Sequence, residues 1–170
     1  MINYLLLASR QGKVRLLKWF VTMPPKTKAK TVKDVTQLVV GGKDGGSGNG
    51  SARKRCNFLE YRDTKVVYRR YASLFFICGI SADDNELVTL EIIHRFVEVL
   101  DRYFGNVSDP DLLIFNFQQA YAILDELIIA GELQESSKKS VLRLVSQADS
   151  MLAQELEDTL TGRLLNEGIL

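Results

Sequence analysis

The side chains best suited to chemistry are few: one histidine, His94, two cysteines, Cys56 and Cys78, and two acidic pairs, Asp83-Asp84 and Asp125-Glu126. A histidine could serve as a general base or metal ligand. His94 has no second histidine for a metal pair, and no cysteine lies beside it in sequence. It falls inside a helical pattern, four residues after Leu90 and three before Val97, so it reads as a packed or half-exposed structural residue. Paired carboxylates can divide acid and base roles, but neighbouring side chains on a helix or turn point apart. Two cysteines cannot build a disulfide framework or a four-ligand zinc site, and Cys78, in an apolar run, reads as a small core residue. No GxSxG elbow is present. These absences set aside hydrolase, metalloenzyme and redox chemistry, and the simplest compartment is the cytosol with reduced thiols.

Six of the twelve glycines lie within residues 41–50, which invites a phosphate-loop reading. Neither GxxxxGK[ST] nor GxGxxG occurs, and no apolar helix follows. With no apolar anchor in residues 41–51, the stretch reads as a flexible loop. The net charge of +1 hides a separation: residues 1–70 carry +12 and residues 71–170 carry −11. Lys26, Lys28, Lys30 and Lys33 lie together, and Arg53, Lys54 and Arg55 close the Gly-rich stretch. Such a basic half can attract nucleic acid or membranes, but no recognition-helix or RNA-sheet signature accompanies it. The longest uncharged runs, Tyr71 to Ala82 and Leu112 to Leu124, fall short of the ~20 residues of a membrane span. The start lacks a basic lead and a small-residue cleavage site, so no secretory signal is expected.

The elements that position these residues follow from periodicity. Residues 2–8 form a short apolar strand, Gln11-Gly12 a turn, and residues 13–21 a second strand. Alternation puts Arg15, Leu17 and Trp19 on one face and Val14, Leu16, Lys18 and Phe20 on the other. Pro24-Pro25 opens a helix to about Val40. FLEYRD, KVVYRRYA and SLFFICGI read as three meander strands, with Arg62-Asp63 as a turn. The period then becomes helical. Leu87, Leu90, Ile93, Val97, Leu100 and Phe104 recur every three or four residues; Asp83 and Glu86 have capping-box spacing, and Gly105 is the stop. Asp109-Pro110 starts a second helix running to Gly131, and Ser136 or Ser137 caps a third. The order ββαβββααα predicts an α+β fold: a five-stranded antiparallel sheet with helices on both faces. The later helices carry more apolar surface than one sheet covers, which marks a partner surface.

Five blocks, taken together, carry a resemblance: SRQGKVRLLKWF, FLEYRDTKVVYRRYASLFF, DNELVTLEIIHRFVEVLDRYFGNV, FNFQQAYAILDELIIAGE and SKKSVL. The chain resembles the sigma-adaptins, small chains of the heterotetrameric clathrin adaptor complexes, over residues 1–149, with the blocks in the family's order. SRQGK, FLEYRD, RYASL, TLEIIHR and KKSVL look like the small chain of the first adaptor complex, that of the trans-Golgi network and endosomes. The resemblance implies a longin-like domain over 1–149 with a Gly-rich insertion at 41–54, and a divergent helical or flexible tail over 150–170. It implies no enzymatic activity and no cofactor. The implied partners are a gamma-type large adaptin directly, and beta-type large and mu-type medium adaptins in the same complex. Clathrin and an Arf GTPase are met through the complex. The membrane is met only peripherally and nucleic acid not at all. The alternative is a small chain of another adaptor or of coatomer, with a purely structural role.

The family also implies a site for acidic dileucine signals, [DE]xxxL[LI], in cargo tails. Its apolar pockets match Ala72 and Leu74 on a strand, Val97 on the helix, and Asn106, Val107 and Leu112 just beyond. The basic contact near the signal's acidic residue matches Arg15. Pro110, in SDPDLL, stands where the family commonly has an apolar residue, which removes a branched side chain from the pocket rim.

Overall fold

The computed structural model describes residues 1–41, 57–105, 115–134 and 137–166. Strands β1 (Ile2–Ser9) and β2 (Val14–Trp19) form a hairpin, followed by helix α1 (Pro25–Val40). Strands β3 (Phe58–Tyr61), β4 (Thr64–Tyr71) and β5 (Leu74–Ser81) form a meander, and helix α2 spans Glu86–Phe104. Helix α3 (Phe117–Leu127), short strands β6 (Ile128–Ile129) and β7 (Glu132–Leu133), and helix α4 (Lys138–Asn166) complete the described chain. The main sheet has the order β2-β1-β5-β4-β3, antiparallel throughout. This is the α+β architecture expected from the sequence.

The central strands read as nearly continuous apolar runs because the sheet is covered on both sides. On one face, Leu7, Leu74 and Phe76 pack with Ile93, Phe96 and Leu100 of α2, Ile123 and Leu124 of α3, and Val141 and Val145 of α4. On the other, Tyr4, Leu6, Val66 and Ile77 pack with Val35 and Val39 of α1. Gly79 is where Tyr4 needs room: a Cβ there would lie 2.1 Å from the Tyr4 ring.

Three local readings change. In the β1–β2 ladder Leu7 faces Leu16 but Ala8 faces Val14, leaving Arg15 as the extra residue of a bulge. The bulge moves Val14 off the face of Leu16 and onto the α1 side, beside Val32 and Thr36. The second correction concerns the α2 cap. It is Asn85, whose side chain accepts from the Leu87 amide at 2.9 Å; the neighbouring Asp84 is engaged by the Met1 amine. Glu86 is then the first helical residue, and it pairs with Lys65 at 2.7 Å instead of closing a capping box with Asp83. Finally, α3 ends at Leu127, not Gly131. Ala130 (φ 52°) and Gly131 (φ 82°) form a tight turn, and Ile128 and Ile129 pair back with Leu133 and Glu132. The Ile2 amide donates to the Gly131 carbonyl at 2.9 Å, which pins this small hairpin to β1. The expected helix start at Asp109-Pro110 lies outside the described residues. Gly105 does end α2, in the left-handed region with its amide on the Asp101 carbonyl.

Candidate functional site

The candidate residues gather at one end of the sheet. The β1–β2 turn is held by Gly12, φ 80°, whose amide bonds the Ser9 carbonyl. The adjacent β4–β5 turn is Ala72-Ser73, closed by the Tyr71–Leu74 pair. The Arg10 amide donates to the Ser73 carbonyl at 3.1 Å, so the two turns are tied together.

Ala72 is in this turn and not on the strand as expected. It is exposed and holds φ 50°, and its carbonyl accepts from Arg70 Nε at 2.8 Å. Leu74, the next inward position, is fully buried and pairs with Ser9. Val97 of α2, 6% exposed, shares its core cluster. Arg15 stands two strands from Leu74 at the same end, about 10 Å by strand spacing. It is partly buried, and its Nε is enclosed without a hydrogen-bond partner. Asn106, Val107 and Leu112 lie outside the described residues, as does Pro110. The described structure therefore brings Leu74 and Val97 into one core, with Ala72 and Arg15 nearby at its edge.

Polar contacts around His94, which the sequence reads as a structural residue, tie this corner together. Tyr71 lies edge-on to Phe76, with centroids 5.6 Å apart, and its hydroxyl meets His94 Nδ1 at 3.2 Å. Desolvation raises the Tyr71 pKa, opposed by the Arg69 guanidinium over the ring. His94 Nε2 lies 3.8 Å from Glu98, and Glu98 is paired with Lys138. The Lys138 hydrogen bond holds the Glu98 carboxyl below its ordinary range. The chain Tyr71–His94–Glu98–Lys138 thus joins β4, α2 and the base of α4. Cys78 is wholly buried, and burial pushes its thiol pKa up, as suits an inert core residue. Among the described residues, no group of three or more His, Cys, Asp or Glu is placed to hold a metal. No helix among them is long and apolar enough to cross a membrane.

A five-stranded antiparallel sheet covered on both faces, with an exposed turn over a buried leucine at one end, defines a small two-sided α+β domain. Comparison with known proteins makes this specific. Residues 1–152 match the family model of the clathrin adaptor complex small chain. The AP-1 complex subunit sigma-1 of Schizosaccharomyces pombe is 57% identical over 149 residues, covering 88% of this chain and 86% of that one. The human AP-1 complex subunit sigma-1A is 50% identical over 159 residues, covering 94% and 93%. In structure, the chain is similar to one in a homology model of the full-length AP-3 complex in a stretched open conformation. There the TM-score is 0.65 at 24% identity, over 94% of this chain and 98% of that one; at that identity the likeness speaks for the fold alone. The chain belongs to the clathrin adaptor complex small-chain family. Its role is that of a small subunit in a vesicle-trafficking adaptor, and the family is one of adaptor subunits, not of enzymes.

Proposed function

We propose that this chain is the small subunit of an AP-1-type heterotetramer on the cytoplasmic face of the trans-Golgi network and endosomes and on clathrin-coated vesicles. The carrying observation is identity of 57% and 50% to fission-yeast and human AP-1 sigma subunits over nearly the whole of each chain. In this reading it packs directly against a gamma-type large adaptin, and beta-type and mu-type subunits complete the core. Clathrin and an Arf GTPase engage the assembled complex. Leu87 and Val88 at the start of α2, 68% and 57% exposed, and Phe115 at 82% supply apolar surface for such packing.

The second part of the proposal is that the sheet end receives acidic dileucine signals. Arg15 meets the acidic residue, and Ala72, Leu74, Val97, Asn106, Val107 and Leu112 meet the leucines. Two leucines leaving water contribute ~1.5–3 kcal/mol each before ordering costs. Micromolar affinity, about −8 kcal/mol, is then a reasonable ceiling for one short peptide. The enclosed, unpartnered Arg15 Nε supports a role in holding an anion. The burial of Leu74 and Val97 favours the other reading, a purely structural subunit, because a closed core admits no leucine. The decisive experiment reconstitutes the chain with gamma-, beta- and mu-type adaptins and measures binding of an acidic dileucine peptide, with a tyrosine-based peptide as control. Assembly without dileucine binding leaves the structural reading. Failure to assemble with a gamma-type subunit overturns the AP-1 assignment.

A further inference from the structure

Helix α4 does two different things along its 29 residues. Its first turns belong to the domain: Val141 and Val145 are buried in the core, Lys138 pairs with Glu98, and Tyr103 donates to Asp149. Every described side chain from Ser150 to Thr161 is exposed. The helix nevertheless runs unbroken to Asn166, past residue 152, where the family match ends. At ~1.5 Å per residue, the stretch beyond Ser150 extends about 25 Å.

This exposed stretch is not uniformly polar. Leu144, Ala148, Leu152, Leu156 and Leu160 recur at intervals of four, making one continuous ridge. Leu152, Leu156 and Leu160 are 58%, 63% and 58% exposed, and Met151, beside them, is 67% exposed. Isolated exposed leucines are ordinary, whereas a row of them at helical spacing is an interaction surface. Along the fully exposed part of the ridge the flanking charge is acidic. Glu155 and Glu157 stand on either side of Leu156, while Arg143 and Arg163 lie at its two ends.

We propose that the distal part of α4 is a docking helix for a basic amphipathic helix of another protein. The leucine ridge seats in the partner's apolar groove, at the crossing of about −50° that ridges of this spacing favour, while the acidic flanks meet its Lys or Arg residues. The charge pattern decides against the other occupants. A parallel second copy would set Glu155 and Glu157 against the same carboxylates, and an anionic membrane surface would repel them; an antiparallel copy is separated by sedimentation in the test below.

The test uses the full chain and three fluorescently labelled 18-residue peptides. One is an amphipathic Leu/Lys helix, one has Glu in place of every Lys, and one keeps Lys but has Ser in place of every Leu. Anisotropy titrations are compared with those of the triple variant Leu152→Ser/Leu156→Ser/Leu160→Ser and of Glu155→Gln/Glu157→Gln/Asp158→Asn. These positions are exposed, so circular dichroism and melting should match wild type. The Leu/Lys peptide should bind wild type at least tenfold more tightly than either other peptide. The serine variant should lose that advantage, and the neutralised variant should bind more weakly with a flatter salt dependence. Equal binding of the Leu/Lys peptide to wild type and the serine variant overturns the proposal. Sedimentation showing a wild-type dimer that the serine variant abolishes assigns the ridge to a second copy instead. Ridge-dependent binding to phosphatidylserine vesicles assigns it to a membrane; both outcomes overturn the proposal.

Discussion

The Tyr121 hydroxyl bridges both backbone groups of Leu17: it accepts from the Leu17 amide at 3.0 Å and donates to the Leu17 carbonyl at 3.0 Å. Leu17 lies on β2, one of the two edge strands of the main sheet, where unpaired amides and carbonyls would otherwise offer a template for another strand. One side chain of α3 thus closes the open edge at its middle. The Lys18–Asp125 pair, 2.9 Å, reinforces the same seam.

Replacing Tyr121 with Phe keeps the ring and removes both bonds. Each is worth about 0.5–1.5 kcal/mol net, so a loss of about 1–2 kcal/mol is expected. For a domain of this size that lowers Tm by roughly 3–6 °C. Scanning calorimetry checks the magnitude, and light scattering checks the accompanying rise in self-association through the uncovered edge. Unchanged Tm and unchanged scattering would show that water replaces the hydroxyl without cost.

Gly79→Ala tests the other face. The added methyl would meet the Tyr4 ring at 2.1 Å, inside the sheet-to-α1 core. Overpacking of this kind costs about 1–3 kcal/mol. The double variant with Tyr4→Leu should recover much of the loss, whereas Gly105→Ala, with nothing within 4 Å but φ at 77°, should cost about 1 kcal/mol from backbone strain alone. Chemical denaturation of the four proteins yields the comparison, and a Tyr4→Leu background that rescues nothing would refute the steric account.

These local facts show which parts of the fold sequence patterns could reach. The hairpin at Gly12, the Arg62-Asp63 turn and the Gly105 stop each rest on short-range chemistry, and each is found. The bulge at Arg15 was beyond reach because it is set by pairing with β1, not by residues 13–21 themselves. Likewise Asn85 and not Asp83 caps α2, because the helix begins at Glu86, a boundary that the spacing of Asp83 and Glu86 does not reveal. Isoleucines 128 and 129 continue a helical pattern, and the left-handed Ala130-Gly131 turn is what diverts them. At the candidate site, Leu74 and Val97 have the same alternation and spacing as any core residue. The resemblance alone marked them, and the described structure places both in the core.

The ion pair between α2 and α4 fixes a pH dependence. Glu98 is held below its ordinary 4.5, first by the Lys138 hydrogen bond and, against an opposing desolvation, by charge interactions with Lys138 and Arg102 among others. A carboxylate whose folded pKa is depressed adds stability above its unfolded value, and that stability is lost as pH falls through the folded pKa. Lys138→Met should therefore lower Tm by a constant amount above about pH 5.5, and the difference should shrink as pH drops below the unfolded value. Melting curves across pH 3–8, a range of order set by carboxylate titration, would display it. A difference independent of pH would mean that Lys138 contributes through packing of its stem and not through charge.

The proposed cargo site is best tested at Ala72 and not at the more obvious Val97. Val97→Asp would bury a carboxylate in the core that holds α2 to the sheet, at a cost of several kcal/mol, so lost peptide binding would be confounded with lost folding. Ala72 is exposed in a turn at φ 50°, a conformation that Asp tolerates better than most residues. Ala72→Asp should leave the melting temperature of the assembled core within about 1 °C, as expected for a surface substitution. It should weaken an acidic dileucine peptide at least tenfold by setting a carboxylate at the leucine entry. Arg15→Ser should weaken peptides with an acidic residue four positions before the first leucine more than peptides lacking it. That difference should narrow in high salt, because it is carried by charge. A tyrosine-based peptide, whose proposed site is on the medium chain, should bind both variants as wild type does. If assembled Ala72→Asp complexes bind the dileucine peptide unchanged, the turn is not the entry to a leucine pocket. The sheet end would then serve only to hold the subunit together.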